Sequence, residues 1–382
     1  MAANPRLLIR IGIILAIVTG LNAFIGWNAT LGLNAAGIAY DAVALWIVLY
    51  VLVFAYVLGR IPLPKALKPI GRLLKIVGSY YIFLFEMCVL LFVAADIAGL
   101  AVRLAGGDTR AYGEAATYVV AALLIALIAV GTRNGLSPVV REYSLEIDKS
   151  GGVAKTWTIV VASDIHLGNV IGNRHLRKLI AKVDELKPDL VLLPGDVIDD
   201  SIEPFLRNGM NETIGKLKAK HGVFAVLGNH EYYGGHIPRY ADEMKRAGIP
   251  VLQDETVLVA DSLYIVGRKD KTAEAAHFGG RKPVAELTEG LDPSKPVILL
   301  DHQPTMFRQA ADAGVDLMLS GHTHRGQFAP NHWITKRLFE LDWGYMRKDA
   351  MHVIVSSGFG LWGPPIRLAS RSEIIRVTLH FK

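Results

Sequence analysis

The run LMLSGHTH, residues 317–324, decides how the second half of the chain is read. Leu317, Met318 and Leu319 make an apolar run of strand length, which stops at Gly321 and is followed by His322, Thr323 and His324. Either the imidazoles are solvated loop residues or a strand delivers them to a shared point. Four further runs follow the same plan. TIVVA (158–162) leads to Asp164 and His166, and LVLLP (190–194) to Gly195 and Asp196. VFAVL (223–227) leads to Gly228, Asn229, His230 and Glu231, and PVILL (296–300) to Asp301 and His302. Helical patterns such as HLRKLIAKVDELK (175–187) and YADEMKRAG (240–248) lie between them, the alternation expected of an α/β sheet protein. In such sheets ligands collect beyond the carboxyl ends of the strands, so five ends of this kind predict one convergent site.

The residue types narrow the chemistry. Asp164, Asp196, Asn229, His166, His302, His322 and His324 form a mixed oxygen and nitrogen set without thiolate. That set suits Mn, Fe or Zn and argues against a calcium cage. Seven ligands exceed one tetrahedral ion but suit two divalent ions about 3.5–4 Å apart that share a carboxylate. A pair of this kind holds a hydroxide and clamps the oxygens of an in-line phosphoryl displacement. Glycines before Asp196, Asn229 and His322 let the backbone turn sharply off each strand.

The series Asp164-x-His166, Gly195-Asp196, Gly228-Asn229-His230-Glu231, His302 and Gly321-His322-x-His324 resembles the calcineurin-like metallophosphoesterase superfamily, over about residues 161–324. The surroundings GNHEYYGG, LLDHQP and GHTHRGQ are most similar to its bacterial, membrane-anchored branch. The resemblance implies a four-layer α-β-β-α sandwich, two β-sheets flanked by helices, with a dinuclear site at one edge. It implies that Asp164, His166 and His324 hold one metal, that Asn229, His302 and His322 hold the other, and that Asp196 bridges them. His230 would stay off the metals and stabilise or protonate the phosphoryl oxygens, with Glu231 orienting or tuning its ring. The arginine that protein phosphatases of this superfamily carry shortly after the bridging aspartate is replaced here by GDVIDDSIE (195–203), which argues against a protein substrate. Asp199, Asp200 and Glu203 in that run read more readily as a solvated loop than as part of a site. Arg325 either contacts a substrate phosphate bidentately or faces solvent.

The first third is of another kind. The chain has 382 residues, of which 52% are hydrophobic and 20% charged, and the apolar excess sits in the first 132. Residues 11–27, 42–58, 76–102 and 115–132 are each about long enough to cross a hydrocarbon core of roughly 30 Å. They lack the polar stripe of a soluble helix. The expectation is an N-terminal four-helix transmembrane domain over 1–132 and a metallophosphoesterase domain over 133–382. Arg60, Lys65, Lys68, Arg72 and Lys75 crowd the second connection with no acid among them. By the positive-inside rule both termini and the catalytic domain face the cytoplasm, on a multi-pass protein of the cell inner (plasma) membrane. Glu86 and Asp96 in the third segment are a functional hint, a pairing with a neighbouring helix, or, for Asp96, an interfacial position. The one cysteine, Cys88, forms no intrachain disulfide.

Several flanking segments complete the reading. Strands over 143–147 and 156–162, joined by DKSGG, predict an opening hairpin. MHVIVSS (351–357) and EIIRVTLH (373–380) are expected to complete the second sheet, and SSGFGLWGPP (356–365) to form a loop beside the site. WITKRLFELDWGYMRK (333–348) mixes aromatic and basic residues. It reads either as packing against the sheet or as a membrane-surface contact, the former favoured. The formal charge of +6 partly reflects the membrane part, and no basic strip with interleaved aromatics is present, so no nucleic acid polymer is expected as a partner. The function expected is a membrane-anchored, dinuclear phosphohydrolase that uses metal-activated water. Its substrate would be a phosphorylated lipid-linked compound in the bilayer or a nucleotide, cut at a phosphoester or pyrophosphate bond. The alternative is a non-catalytic or regulatory sensor or transport protein that keeps the fold.

Overall fold

The computed structural model describes residues 5–61, 63–152 and 154–382. The chain divides into two compact units, Met1–Val130 and Gly131–Lys382. The first is helical: α1 (Pro5–Ala35), α2 (Ala42–Leu58), α3 (Lys68–Leu104) and α4 (Thr109–Leu136), of which the end from Gly131 onward belongs to the second unit. Three stretches, Leu8–Ala35, Lys68–Leu104 and Thr109–Leu136, are long and apolar enough to cross a membrane, and α2 is apolar but only 17 residues long. The side chain of Lys65, one of the five basic residues in the second connection, lies outside the described residues.

Close helix contact in this unit depends on small residues. A Cβ on Gly78 of α3 would stand 2.1 Å from the Tyr56 backbone nitrogen of α2, so only glycine lets the two backbones meet there. The polar groups of the apolar segments find one another. Tyr81 donates its hydroxyl to Asn22 Oδ1 at 2.6 Å, and Asn28 donates its amide to Asp96 Oδ2 at 3.3 Å. Asp96 is therefore paired with a neighbouring helix, while Glu86 is half-buried in α3.

The second unit contains β1 (Val139–Ile147), β2 (Thr156–Val161), β3 (Leu190–Pro194), β4 (Val223–Val226), β5 (Val251–Leu252) and β6 (Glu255–Val259). It continues with β7 (Leu263–Gly267), β8 (Val297–Leu300), β9 (Leu317–Ser320), β10 (Gly344–Lys348), β11 (Met351–Val355) and β12 (Glu373–Phe381). They form two mixed six-stranded sheets, ordered β1-β12-β2-β3-β4-β5 and β10-β11-β9-β8-β7-β6. One apolar cluster draws Ile159, Leu192 and Val377 from the first sheet and Ile265, Leu300 and Leu319 from the second. A second gathers Val160, Val191 and Ala225 of the first sheet with Leu176, Leu179 and Val183 of the helix Asn173–Leu186. A third joins Leu299, Met318 and Val353 of the second sheet to Phe307 and Val284. The short apolar runs are strands because both of their faces are buried, as β3 and β8 are throughout.

Two expectations about strand order are corrected. β1 and β2 run in opposite directions, as the DKSGG turn requires, but they do not pair: β12 lies between them, parallel to β1 and antiparallel to β2. The connection between β1 and β2 is long enough to step over one strand at about 4.8 Å per spacing. β12 therefore completes the first sheet, not the second, whereas β11 does belong to the second. The reason is burial. Ile375, Val377 and Leu379 of β12 enter the cluster shared by the sheets, and a central place gives this strand partners on both sides.

Candidate metal centre

β2, β3 and β4 run parallel in one sheet and β8 and β9 run parallel in the other, so their carboxyl ends bring the candidate residues together. Asp164, His166 and His324 offer ligand atoms within 4.8 Å of one another, and so do Asp196, His302 and His322. Asn229 Oδ1 joins the second group, 2.8 Å from His322 Nδ1 and 3.2 Å from His302 Nε2. Asp196 faces both groups: its Oδ2 lies 3.1 Å from His302 Nε2 and 3.8 Å from His166 Nε2. All seven residues named from the sequence thus meet at one place.

The backbone is bent to achieve this. Asp164 (φ 52°), His166 (51°), Asp196 (52°), His322 (72°) and His324 (49°) all adopt the left-handed region, which is costly for residues with a Cβ. Hydrogen bonds between neighbouring loops hold them there: Asp164 N–H donates to Gly195 O at 3.1 Å and His166 N–H to Asp196 O at 3.0 Å. Gly228 is required for approach, since a Cβ there would sit 2.2 Å from Asp196 Oδ1.

Buried surroundings set the charges. Burial, and then the nearby His230, lowers His166 to about 3, and burial followed by His302 lowers His322 to about 4. Burial likewise holds His324 well below the ordinary histidine range. These three imidazoles are neutral at neutral pH, the form that ligates a metal. Burial acts against both charges of the Asp196–His302 pair, but their mutual attraction outweighs it. Asp196 is held well below the carboxylate range and His302 well above the histidine range. His302 also points its Nδ1 at Pro194 O, 2.8 Å away; donation there leaves Nε2 toward Asp196 and Asn229. Nitrogens and carboxylate oxygens aimed at common points in this way fit divalent cations.

The model of the family described as calcineurin-like phosphoesterase matches residues 158–326. A protein of Aquifex aeolicus (strain VF5) called "Uncharacterized metallophosphoesterase" is 34% identical over 247 residues, 64% of this chain and 92% of its own. The chain belongs to the calcineurin-like phosphoesterases. Two further relatives carry the same domain. "Transmembrane protein with metallophosphoesterase domain" of Danio rerio is 31% identical across 71% of this chain and 64% of its own length. An "Uncharacterized metallophosphoesterase" of Helicobacter pylori (strain J99 / ATCC 700824) is 31% identical across 65% and 66%. The phosphoesterase thus spans nearly all of the Aquifex relative and about two thirds of the other two. A metal-dependent phosphoesterase domain accompanied by apolar helices of membrane-spanning length is what these findings establish.

In this phosphoesterase, the residues around His230 depart from expectation. Glu231 does not hold the His230 ring. Its carboxylate accepts the backbone N–H groups of Gly228 at 2.7 Å, Ile198 at 3.0 Å and Asp196 at 3.1 Å, tying the ends of β3 and β4 together. His230 Nδ1 instead meets Asp200 Oδ1 at 2.7 Å, with Asp199 Oδ1 at 3.6 Å. Asp199 and Asp200 of the acidic run consequently form a wall of the site, folded inward against that imidazole, whereas Glu203 faces solvent and pairs with Arg207. Arg325 stacks on Trp343, 4.0 Å from the ring centre, and donates to Ala369 O at 2.9 Å.

Some supports lie beyond the strand ends. Ser163 donates to Asp164 Oδ2 at 2.5 Å, and Gly360 N–H donates to Asp164 O at 2.8 Å. The 356–365 segment therefore does lie beside the site. Arg367, wholly buried, donates to the carbonyls of Gly360 at 2.9 Å and of Gly358 and His324 at 3.3 Å. Its distance in sequence from every ligand motif hides it; the only signal is an arginine just after a glycine- and proline-rich run.

Proposed function

We propose that the chain is a membrane-anchored, dinuclear phosphohydrolase. The observation that carries this reading is Asp196 Oδ2 facing His166 on one side and His302 on the other, a carboxylate oxygen common to two ligand groups. Asp164, His166 and His324 would hold one ion; Asn229, His302 and His322 the other; Asp196 would belong to both. When bound, the pair (Mn, Fe or Zn) supplies Lewis acidity for water activation and for the phosphoryl charge. The side chains supply position. His230 lies edge-on to His166 with ring centres 4.6 Å apart and has Asp200 Oδ1 2.7 Å from its Nδ1, so its Nε2 is the nitrogen that would serve the substrate. In its protonated form it donates that Nε2 proton to the leaving oxygen. Glu231 acts through the backbone amides it collects, not on the substrate.

The same reading takes α2 as a fourth span, packs the second unit as a four-layer sandwich, and places the catalytic unit on the cytoplasmic side of the inner (plasma) membrane. The basic second connection supports that orientation. A phosphoester or pyrophosphate carried on a lipid is the favoured substrate, because the domain shares its chain with membrane-length helices; a nucleotide diester comes second.

The test is metal analysis and turnover of the purified full chain. Two divalent ions per chain are expected, with hydrolysis of a phosphomonoester or diester dependent on them. His230→Ala should retain both ions and lose about 10²–10⁴-fold in kcat. One ion per chain, or undiminished turnover in the variant, rules the reading out.

A further inference from the structure

The helix His332–Leu338 buries none of its side chains. Trp333 is 66% exposed, Ile334 58% and Leu338 73%, three large apolar groups at the surface of a unit whose other apolar residues are mostly interior. Ile334 and Leu338 are four residues apart and share a face, and Trp333 lies beside them. Lys336 and Arg337 stand on the same short helix. The packing expected for the 333–348 segment therefore does not hold at its start, although Trp343 does pack inward, donating to Glu373.

Directly behind this helix is a recess of about 470 Å³ whose lining includes Arg325, Trp333, Lys336, Phe339, Trp343 and the two acids Glu340 and Asp342. Its inner end adjoins the metal centre: the Phe339 ring lies 6.1 Å from that of His322, and Arg325 follows His324 directly. Its two acids are engaged, Glu340 by Lys348 and Asp342 by the Thr335 hydroxyl, which leaves the aromatic faces with Arg325 and Lys336, a lining that suits an amphiphile with an anionic head. Apolar groups flanked by lysine and arginine on an otherwise polar surface are the composition of a helix that lies in the headgroup boundary. Seven residues are too few to hold a protein at a membrane unaided. Here the helices of the first unit keep the local concentration of bilayer high, so a weak contact suffices.

We propose that the His332–Leu338 helix is an interfacial foot of the phosphoesterase. Trp333, Ile334 and Leu338 enter the acyl boundary, Lys336 and Arg337 stay with lipid phosphates, and the recess behind them leads a lipid-borne phosphoester to the metal centre. The delivery part rests on the phosphohydrolase reading; the docking part does not.

The test uses the full chain in nanodiscs of phosphatidylcholine with phosphatidylglycerol. In a Cys88→Ser background, Ile334→Cys is labelled with an environment-sensitive fluorophore. Acyl-chain doxyl lipid is expected to quench the label at least twofold, while iodide in the buffer fails to reach it. A label untouched by doxyl lipid and open to iodide overturns the proposal, as does one that escapes doxyl lipid and cross-links to a second copy. In the second arm, Ile334→Ser with Leu338→Ser should slow hydrolysis of a phosphoester embedded in the nanodisc about tenfold and leave a soluble aryl phosphodiester within twofold. Equal rates for wild type and variant on the embedded ester overturn the delivery step. Because quenching is read without turnover, the docking stands or falls on it even where the phosphohydrolase reading fails.

Discussion

His230 enters the site with its ring fixed from behind, and the fixing group is Asp200, at 2.7 Å from Nδ1. If His230 acts as proposed, a carboxylate at that distance restrains which way its ring faces and favours a proton on the nitrogen nearest it. Asp200→Asn keeps the shape and removes the charge. Turnover should fall roughly ten- to a hundredfold while metal content stays that of the wild type, measured by steady-state kinetics beside elemental analysis. A variant of full activity would assign the ring's orientation to Asp199 or to packing alone. The seven candidate ligands raise a related point about strain. Five of them sit at positive φ, each at a cost of about 1–2 kcal/mol, against which the lacing of the loops after β2 and β3 and the carboxylate of Glu231 are set.

Among the elements, β12 carries the most structural weight. Placed between β1 and β2, it buries Ile375, Val377 and Leu379 between the sheets and brings Glu373 under the 356–358 segment, where its carboxylate accepts Ser357 N–H at 2.7 Å. Leu379→Ala should destabilise the second unit by about 2–5 kcal/mol, the cost of a core truncation. His380→Ala, on the exposed position next to it, should cost under about 0.5 kcal/mol. Urea unfolding followed by tryptophan fluorescence separates the two; equal small effects would return β12 to the edge of its sheet. This strand also shows where sequence reading reaches its limit. The five strand ends are legible because each apolar run and its ligand are close in sequence, and the residue types state the chemistry. Strand order is another matter: alternation marks β12 as a half-buried strand but does not say beside which neighbours it lies. The pairing of Asp200 with His230, and the reach of Arg367 into three carbonyls, depend on loop paths that no local pattern encodes. The exposed face of His332–Leu338 escapes for the opposite reason, since its composition fits packing and display equally well.

At the scale of the whole molecule, the two units have separate cores, one of helix contacts around Ile25, Leu49 and Tyr81 and the others around the two sheets. Units built this way unfold as separate transitions, and a ligand of one stabilises that one alone. Chelation should therefore lower the melting of residues 131–382 and leave the helical transition of residues 1–130 in place. At free metal about a hundred times Kd the stabilisation lost is about 2.7 kcal/mol per site. The sign of its pH dependence follows from His302. Burial disfavours its charge, but Asp196 outweighs burial and keeps the metal-free imidazole protonated above the usual histidine range. Binding through Nε2 requires that proton to leave, so protons and metal compete and affinity falls as pH falls. The gap in melting temperature between loaded and chelated protein should thus narrow from alkaline toward acidic pH, with proton release on metal addition visible in a weakly buffered titration. A gap that widens toward acid, or a helical transition that moves in step with the metal, would place the stabilising ions somewhere other than the seven residues at the strand ends.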